Sequence, residues 1–214
     1  DFLNSGVVEK VFVVSGKKTG YRPSDLRISV IDNSGSFVSS ATLMEFASYL
    51  KSEYVVLYTR SSAPDLSENS LRRMLQVIDD SGSAMVYSGY YQVKNGSVER
   101  HPVIEYQEGS LRDDFDFGSM LLIRSTIFIQ ACSEINREYK YAGLYDLRLA
   151  ISRLGRITHI PELLYAETEY DIRTSGEKQF DYVDPRNFAV QAEMEKACTD
   201  HLKKAGGWLR PEFR

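Results

Sequence analysis

Cysteine is scarce in this sequence. Cys132 and Cys198 are the only two in 214 residues, too few for a disulfide scaffold, and a chain this long buries a core without staples. Both lie in stretches that read as helical, so the expectation is two reduced core thiols. Long apolar runs are also missing: none approaches the ~20 residues that a membrane span requires. The opening DFLNSGVVEK lacks the basic-then-apolar order of a signal peptide, so the expected location is cytoplasmic. There is no excess of positive charge, with 26 Lys and Arg against 30 Asp and Glu and a formal net charge of −4. Phosphate backbones are bound by clustered Lys and Arg, and here the basic residues are scattered, which argues against nucleic acid. His101, His159 and His201 have no ligand-like spacing with one another or with the cysteines, which argues against zinc. No Gly-x-Ser-x-Gly turn is present to suggest a serine hydrolase, and there is no internal repeat or low-complexity linker.

What is present is a changing hydrophobic period. Residues 7–14 (VVEKVFVV) form a β-branched and aromatic run that stops at Ser15-Gly16, predicting a buried strand and a turn. A second strand is predicted over residues 26–31, ending at Asp32-Asn33-Ser34-Gly35. In residues 41–50, Leu43, Phe46, Ala47 and Leu50 fall at helical spacing, so the period switches from 2 to 3.6. A strand at 54–59 follows, then a Pro-marked turn, a cap at Ser67 or Asn69, and a helix through Leu71, Met74, Leu75 and Ile78 that ends near Gly82. AMVYSGYYQV and the Asn95-Gly96 turn predict a hairpin whose return strand covers 98–106. Beyond it come the acidic loop GSLRDDFDFGS, the strand SMLLIR, helices over 125–133 and 144–154, and two short strands in RITHIPELLYAETEY interrupted by Pro161. A last helix, from Pro185 to about Lys204, follows the polar segment DIRTSGEKQFDYVD.

This order is that of an α/β domain, and four stretches resemble the nucleotide-sugar-binding domain of inverting family-2 glycosyltransferases, the GT-A fold. VEKVFVVSG resembles that family's second strand, RISVIDN its third, and SATLMEFASYLKSEYVVLYT the helix and strand that deliver its metal-binding aspartates. YAGLYDLRLAISRLGRITHIPELLY resembles its late signature, an acidic pair followed by Asp-Leu-x-Leu-Arg and a strand ending Ile-Pro-x-x-Leu-Tyr. The resemblance covers residues 8–165 and implies a mixed, mostly parallel sheet flanked by helices over residues 1–170. The C-terminal helical extension, 171–214, is expected to pack on that domain or to form a homodimer through its helix. The family's opening strand has no counterpart, so the fold begins one element late. Another doubly wound nucleotide-binding domain would match the element order as well, and its sites would also lie at the carboxyl ends of the strands.

The resemblance implies a nucleotide-diphosphate sugar donor, a glycan or other hydroxyl acceptor, and magnesium or manganese held by an Asp-x-Asp cluster, whose hard oxygens suit those ions. The positions concerned read Thr59-Arg60-Ser61-Ser62, so no metal ligand is assigned. Arg60 is expected to face the diphosphate in the metal's place, since a guanidinium forks onto phosphate oxygens; the other reading is a solvated or salt-bridged loop residue. Ser15-Gly16 replaces the base-binding acidic pair, and the catalytic carboxylate should fall near Gly143 or Leu144, with only Asp146 kept after it.

Asp146 and Asp114 are therefore the candidate catalytic residues, with Arg60, Arg112, Asp113, Asp116, Tyr145, Arg148 and Asp32 as candidate substrate contacts. Asp113, Asp114 and Asp116 crowd three carboxylates together, a costly arrangement without a cation, an arginine or sugar hydroxyls nearby. Phe115 and Phe117 either hold a sugar ring or anchor the loop in the core. Asp146 in a helix's first turn is also explained by the dipole alone. Phe180, Asp181, Tyr182 and Asp184 are placed to reach the pocket from the extension, and Trp208 reads as a packing anchor. Three functional readings follow: an active glycosyltransferase of atypical metal-site arrangement, an inactive relative binding nucleotide, glycan or a protein partner, or one domain of a longer chain.

Overall fold

The computed structural model describes residues 2–15, 22–32, 36–67, 69–94, 96–168 and 188–210, with the side chain of Asp32 outside that description. Among the described residues, five α-helices and eight strands alternate much as the hydrophobic period predicts. β1 (Val11–Ser15) and β2 (Ile28–Asp32) form a parallel pair. α1 (Ser40–Tyr49) follows, then β3 (Tyr54–Tyr58), β4 (Asp65–Leu66), α2 (Ser70–Ser81), β5 (Met85–Lys94) and β6 (Ser97–His101). After a long loop come β7 (Met120–Arg124), α3 (Ser125–Ser133), α4 (Gly143–Leu154), β8 (Ile157–Thr168) and α5 (Phe188–Ala205).

The larger sheet has the order β3-β7-β5-β8-β4, with β6 paired to β5. It is a mixed sheet flanked by helices, as expected. Parallel pairing does not predominate, however: among the described residues it is confined to β1 with β2 and β5 with β8. The Asn95-Gly96 hairpin and the antiparallel entry of β7 between β3 and β5 account for the rest.

Side-chain alternation divides the core between two layers. Tyr87, Leu121 and Ile123 meet Leu43 of α1, Phe128 of α3, and Leu147 and Ile151 of α4. Val86, Met120 and Leu122 meet Leu71, Met74 and Ile78 of α2 on the other side. The three α2 residues recur at helical spacing and are buried, each contributing about 1.5–3 kcal/mol of transfer free energy. α1 starts at Ser39, whose hydroxyl accepts from Thr42 N at 3.3 Å. α2 stops at Gly82, which takes the left-handed φ of 62° that favours glycine. Asn69 stands at its cap position without a side-chain bond, while Ser67 and Ser70 share a hydroxyl contact of 2.7 Å.

Several expectations change in detail. β1 begins at Val11 rather than Val7, and β2 begins at Ile28 because Asp25 turns the chain, accepting from Arg27 N through Oδ1 at 2.9 Å and from Ile28 N through its carbonyl at 3.0 Å. The return strand stops at His101, because Pro102 cannot donate to a ladder. RITHIPELLYAETEY gives one long strand, not two: β8 passes Pro161 through a bulge, pairing Ser88 with Ile160 and then Gly89 with Leu163. The two-residue β4 has no period to reveal it.

The described part of the extension, α5, packs on α4 through Met194, Ala197 and Cys198 against Tyr139, Ala142, Tyr145 and Leu149. Phe180, Asp181, Tyr182 and Asp184 lie outside the described residues, as do Gly16, Asn33 to Gly35 and Asn95. Trp208 is partly exposed, with Lys203 Nζ 5.2 Å from its ring centroid. Both cysteines are free thiols, and burial pushes Cys132 up to about 12. Among the described residues no helix is long and apolar enough to cross a membrane.

Candidate functional site

The end of β3 faces the last turn of β8. Thr59 N donates to Ser119 O at 2.9 Å, tying β3 to the residue that opens β7. Arg60 then reaches across the sheet end to Glu167, giving NH2 to Oε1 at 3.0 Å and Nε to Oε2 at 3.4 Å. The two ends of this pair differ: Glu167 is only 3% exposed, while Arg60 is 52% exposed. Burial works against the Arg60 cation, but the bonds to Glu167 outweigh it and hold its pKa above the ordinary value. A buried carboxylate thus fixes a half-exposed guanidinium.

Glu167 is itself held by Ser119, whose hydroxyl donates to Oε2. Ser119 N donates to Tyr165 Oη at 2.7 Å. The approach of Tyr165 requires glycine at 118, because a Cβ there would lie 2.6 Å from Tyr165 Oη, and Gly118 has φ +70°. Tyr165 stacks on Tyr90 at 5.3 Å between ring centroids, and Tyr90 on His101 at 4.5 Å. His101 Nε2 lies 2.7 Å from Asp116 Oδ2, and Asp116 Oδ1 accepts from Gly118 N at 2.8 Å. Burial pushes Tyr165 up to about 12 and Tyr90 well above its ordinary range, so both stay neutral phenols. Glu167, Ser119, Tyr165, Tyr90 and His101 were not among the sequence candidates. The one signal for them is the alternation Tyr165, Glu167 on a single strand, which puts both on one face.

This donor set does not fit magnesium or manganese. At the end of β3 the side chains are hydroxyls and a guanidinium, the nearby Glu167 carboxylate is committed to Arg60 and Ser119, and no cluster of His, Cys, Asp or Glu among the described residues has the spacing to hold a metal ion.

The acidic loop resolves into separate roles. Arg112 forks onto Asp114 at 2.9 and 3.0 Å, and this bond keeps the Asp114 carboxyl below its usual range. Asp116 serves His101. Asp113 is exposed, and its charge is felt by Arg112, Tyr145 and Arg148. Phe115 and Phe117 pack on each other at 4.5 Å and on Tyr87 and Tyr106 at centroid distances of 4.9–6.3 Å, so they anchor the loop in the core. Arg148, 6% exposed, lies against the rings of Tyr106, Phe117 and Tyr145 and donates to Ser110 O at 3.2 Å and Arg112 O at 2.9 Å. Tyr145 Oη donates to Leu111 O. Tyr145 and Arg148 therefore clamp the loop from α4, and burial lowers the Arg148 pKa.

Asp146 faces the other way. It is 6% exposed, its pKa is raised by burial, and the charges it meets are Lys204, Arg153, Asp200 and Glu134, on α5 and the α3–α4 side. The structure does not bring it together with Asp114. The family resemblance puts the catalytic carboxylate near Gly143 or Leu144, and of the two, Gly143 is pressed against main chain: a Cβ there would lie 2.3 Å from Ser40 N and 2.6 Å from Val38 O. The amides leading into α4 are taken by Glu193 of α5, which accepts from Lys140 N at 3.2 Å, Tyr141 N at 2.7 Å and Ala142 N at 3.1 Å. Burial opposes the Glu193 charge, yet those amides hold its pKa below the usual value. Asp32 ends β2, with its side chain outside the described residues.

Two solved structures share this architecture. The chain matches S. aureus TarS 1–349 in complex with UDP-GlcNAc with a TM-score of 0.55, 15% identity, and coverage of 97% of this chain and 68% of that one. It matches a second S. aureus TarS 1–349 structure with a TM-score of 0.53, 16% identity, and coverage of 97% and 67%. At these identities the likeness establishes the fold alone, a glycosyltransferase-like one. No protein-family model matches the sequence, and no curated protein matches it.

Proposed function

We propose that this domain engages a nucleotide-diphosphate sugar and moves the sugar to a glycan or other hydroxyl acceptor without a carboxylate-held metal. The observation that carries the reading is the Arg60–Glu167 pair: in a glycosyltransferase-like fold, at the strand end where the sequence resemblance puts the metal-binding aspartates, a buried glutamate orients a half-exposed guanidinium. A fixed positive charge there offsets the charge developing on a departing diphosphate, the service a metal would otherwise supply. The exposed Asp113 and the loop it sits on supply the acceptor side. The test is an assay of the purified protein with a panel of nucleotide sugars in EDTA, following nucleotide-diphosphate release with and without glycan acceptors. Metal-independent release supports transfer, and no release from any donor contradicts it.

A second reading rests on Gly143. With main chain closing position 143 and a leucine at 144, the two positions where the resemblance expects the carboxylate, the domain binds a nucleotide sugar or glycan without turning it over. Saturable binding in the absence of product is its signature.

A further inference from the structure

We propose that His101 is the proton acceptor of the site to which Arg60 belongs, receiving the proton of the attacking sugar hydroxyl. This rests on the function proposed above.

The two carboxylates singled out as candidate catalysts are otherwise engaged: Asp114 is bound to Arg112 and Asp146 faces α5. Of the positions where the family resemblance expects the base, 143 is closed to a side chain and 144 is a leucine. His101 belongs to a closed circuit of side chains at the sheet end. Arg60 binds Glu167, Glu167 binds Ser119, and Ser119 contacts Tyr165. Tyr165 stacks on Tyr90, Tyr90 on His101, and Asp116 bonds both His101 and the Gly118 amide, which precedes Ser119. Tyr90 is the hub: 3% exposed, it meets the charges of Glu167, Asp116 and Arg60 together. The cation and the His–Asp pair therefore flank one buried phenol.

The chemistry of the pair is directional. A carboxylate accepts, so Nε2–H of His101 donates to Asp116, and in the neutral ring the lone pair stays on Nδ1. The register of β6 opposite Tyr90 fixes the backbone, stacking fixes the ring, and the His101 side chain stays 38% exposed, open to an incoming hydroxyl. In the step, the acceptor O–H proton passes to Nδ1 while that oxygen bonds to the anomeric carbon. The bond from that carbon to the diphosphate oxygen breaks, and its electron pair leaves on the nucleoside diphosphate, toward Arg60.

Long-range proton–nitrogen spectra of histidine-labelled protein test the assignment, with His159 and His201 as internal references. The free protein should show the Nε2–H tautomer at His101, and D116N should weaken that preference. UDP-GlcNAc should shift the His101 ring nitrogens saturably, with the midpoint found by calorimetry, while UDP alone should not. H101Q should lower the rate of sugar transfer by roughly a hundredfold or more, the usual contribution of a general base, and leave the affinity for UDP-GlcNAc and for UDP unchanged. An Nδ1–H tautomer, or calorimetric binding of UDP-GlcNAc with the His101 signals unmoved, overturns the role of His101 and leaves donor binding standing. Absence of binding by the wild-type protein overturns donor binding itself, and the base assignment with it.

Discussion

Gly143 and Ser40 are packed so closely that a Cβ on the glycine would sit 2.3 Å from the serine's main-chain nitrogen. The contact is reinforced on both sides. Ser40 N donates to Tyr139 O at 2.9 Å, Ser40 Oγ accepts from Tyr139 N at 2.8 Å, and Leu144 N donates to Val38 O at 3.0 Å. The start of α1 and the start of α4 are thus laced together at the point where the family resemblance calls for an acid. The position is closed by backbone, which cannot step aside as a flexible side chain would.

G143A should therefore destabilise the protein by about 3 kcal/mol, the upper part of the usual cost of overpacking. G143D should do at least as much harm. Urea denaturation of both variants checks this; a wild-type midpoint for G143A would show that the two helix starts separate easily.

The Arg60–Glu167 pair makes an asymmetric prediction. R60A strips the partner from a carboxylate that is 3% exposed, whereas E167Q leaves an amide that can still bond Ser119 and releases a guanidinium already half in water. R60A should cost more stability than E167Q by roughly 1 kcal/mol or more. Equal midpoints in urea would mean that the carboxylate finds other partners.

Much of the layout was legible because the hydrophobic period changes with each element. The helices at 125–133 and 144–154 and the strand at 54–59 are set by their own residues, and the structure returns them almost unchanged. What failed was whatever depends on a distant partner. Glu167 lies 107 positions from Arg60, so their pairing exists only once β8 is registered on β5. Asp146 stands in the first turn of a helix either way, and only the docking of α5 shows which face it occupies. Phe115 and Phe117 had two readings, and the ring cluster around Tyr87 decides for the core.

The docking of α5 should be sensitive to pH through His201. That ring is 6% exposed and its Nδ1 accepts from Arg153 NH1 at 2.7 Å, so it must be neutral. Burial lowers its pKa below the ordinary 6.5, and Arg153, Arg148 and Lys204 lower it further. Because the folded value lies below the unfolded one, the stabilisation is present above about 6.5 and is lost as pH falls through the folded value. Asp146, raised by burial, works in the opposite sense on acidification. The difference between wild-type and H201Q unfolding midpoints should shrink as the solution is acidified below that value. A difference independent of pH would place His201 outside the coupling.

The most direct test of the central claim is calorimetric titration of UDP-GlcNAc in EDTA into the wild-type protein and R60A. The wild type should bind saturably, unchanged by added manganese, and R60A should lose roughly tenfold or more in affinity, as expected for a charge-assisted contact to a diphosphate. Binding that requires manganese, or that R60A leaves intact, would contradict it.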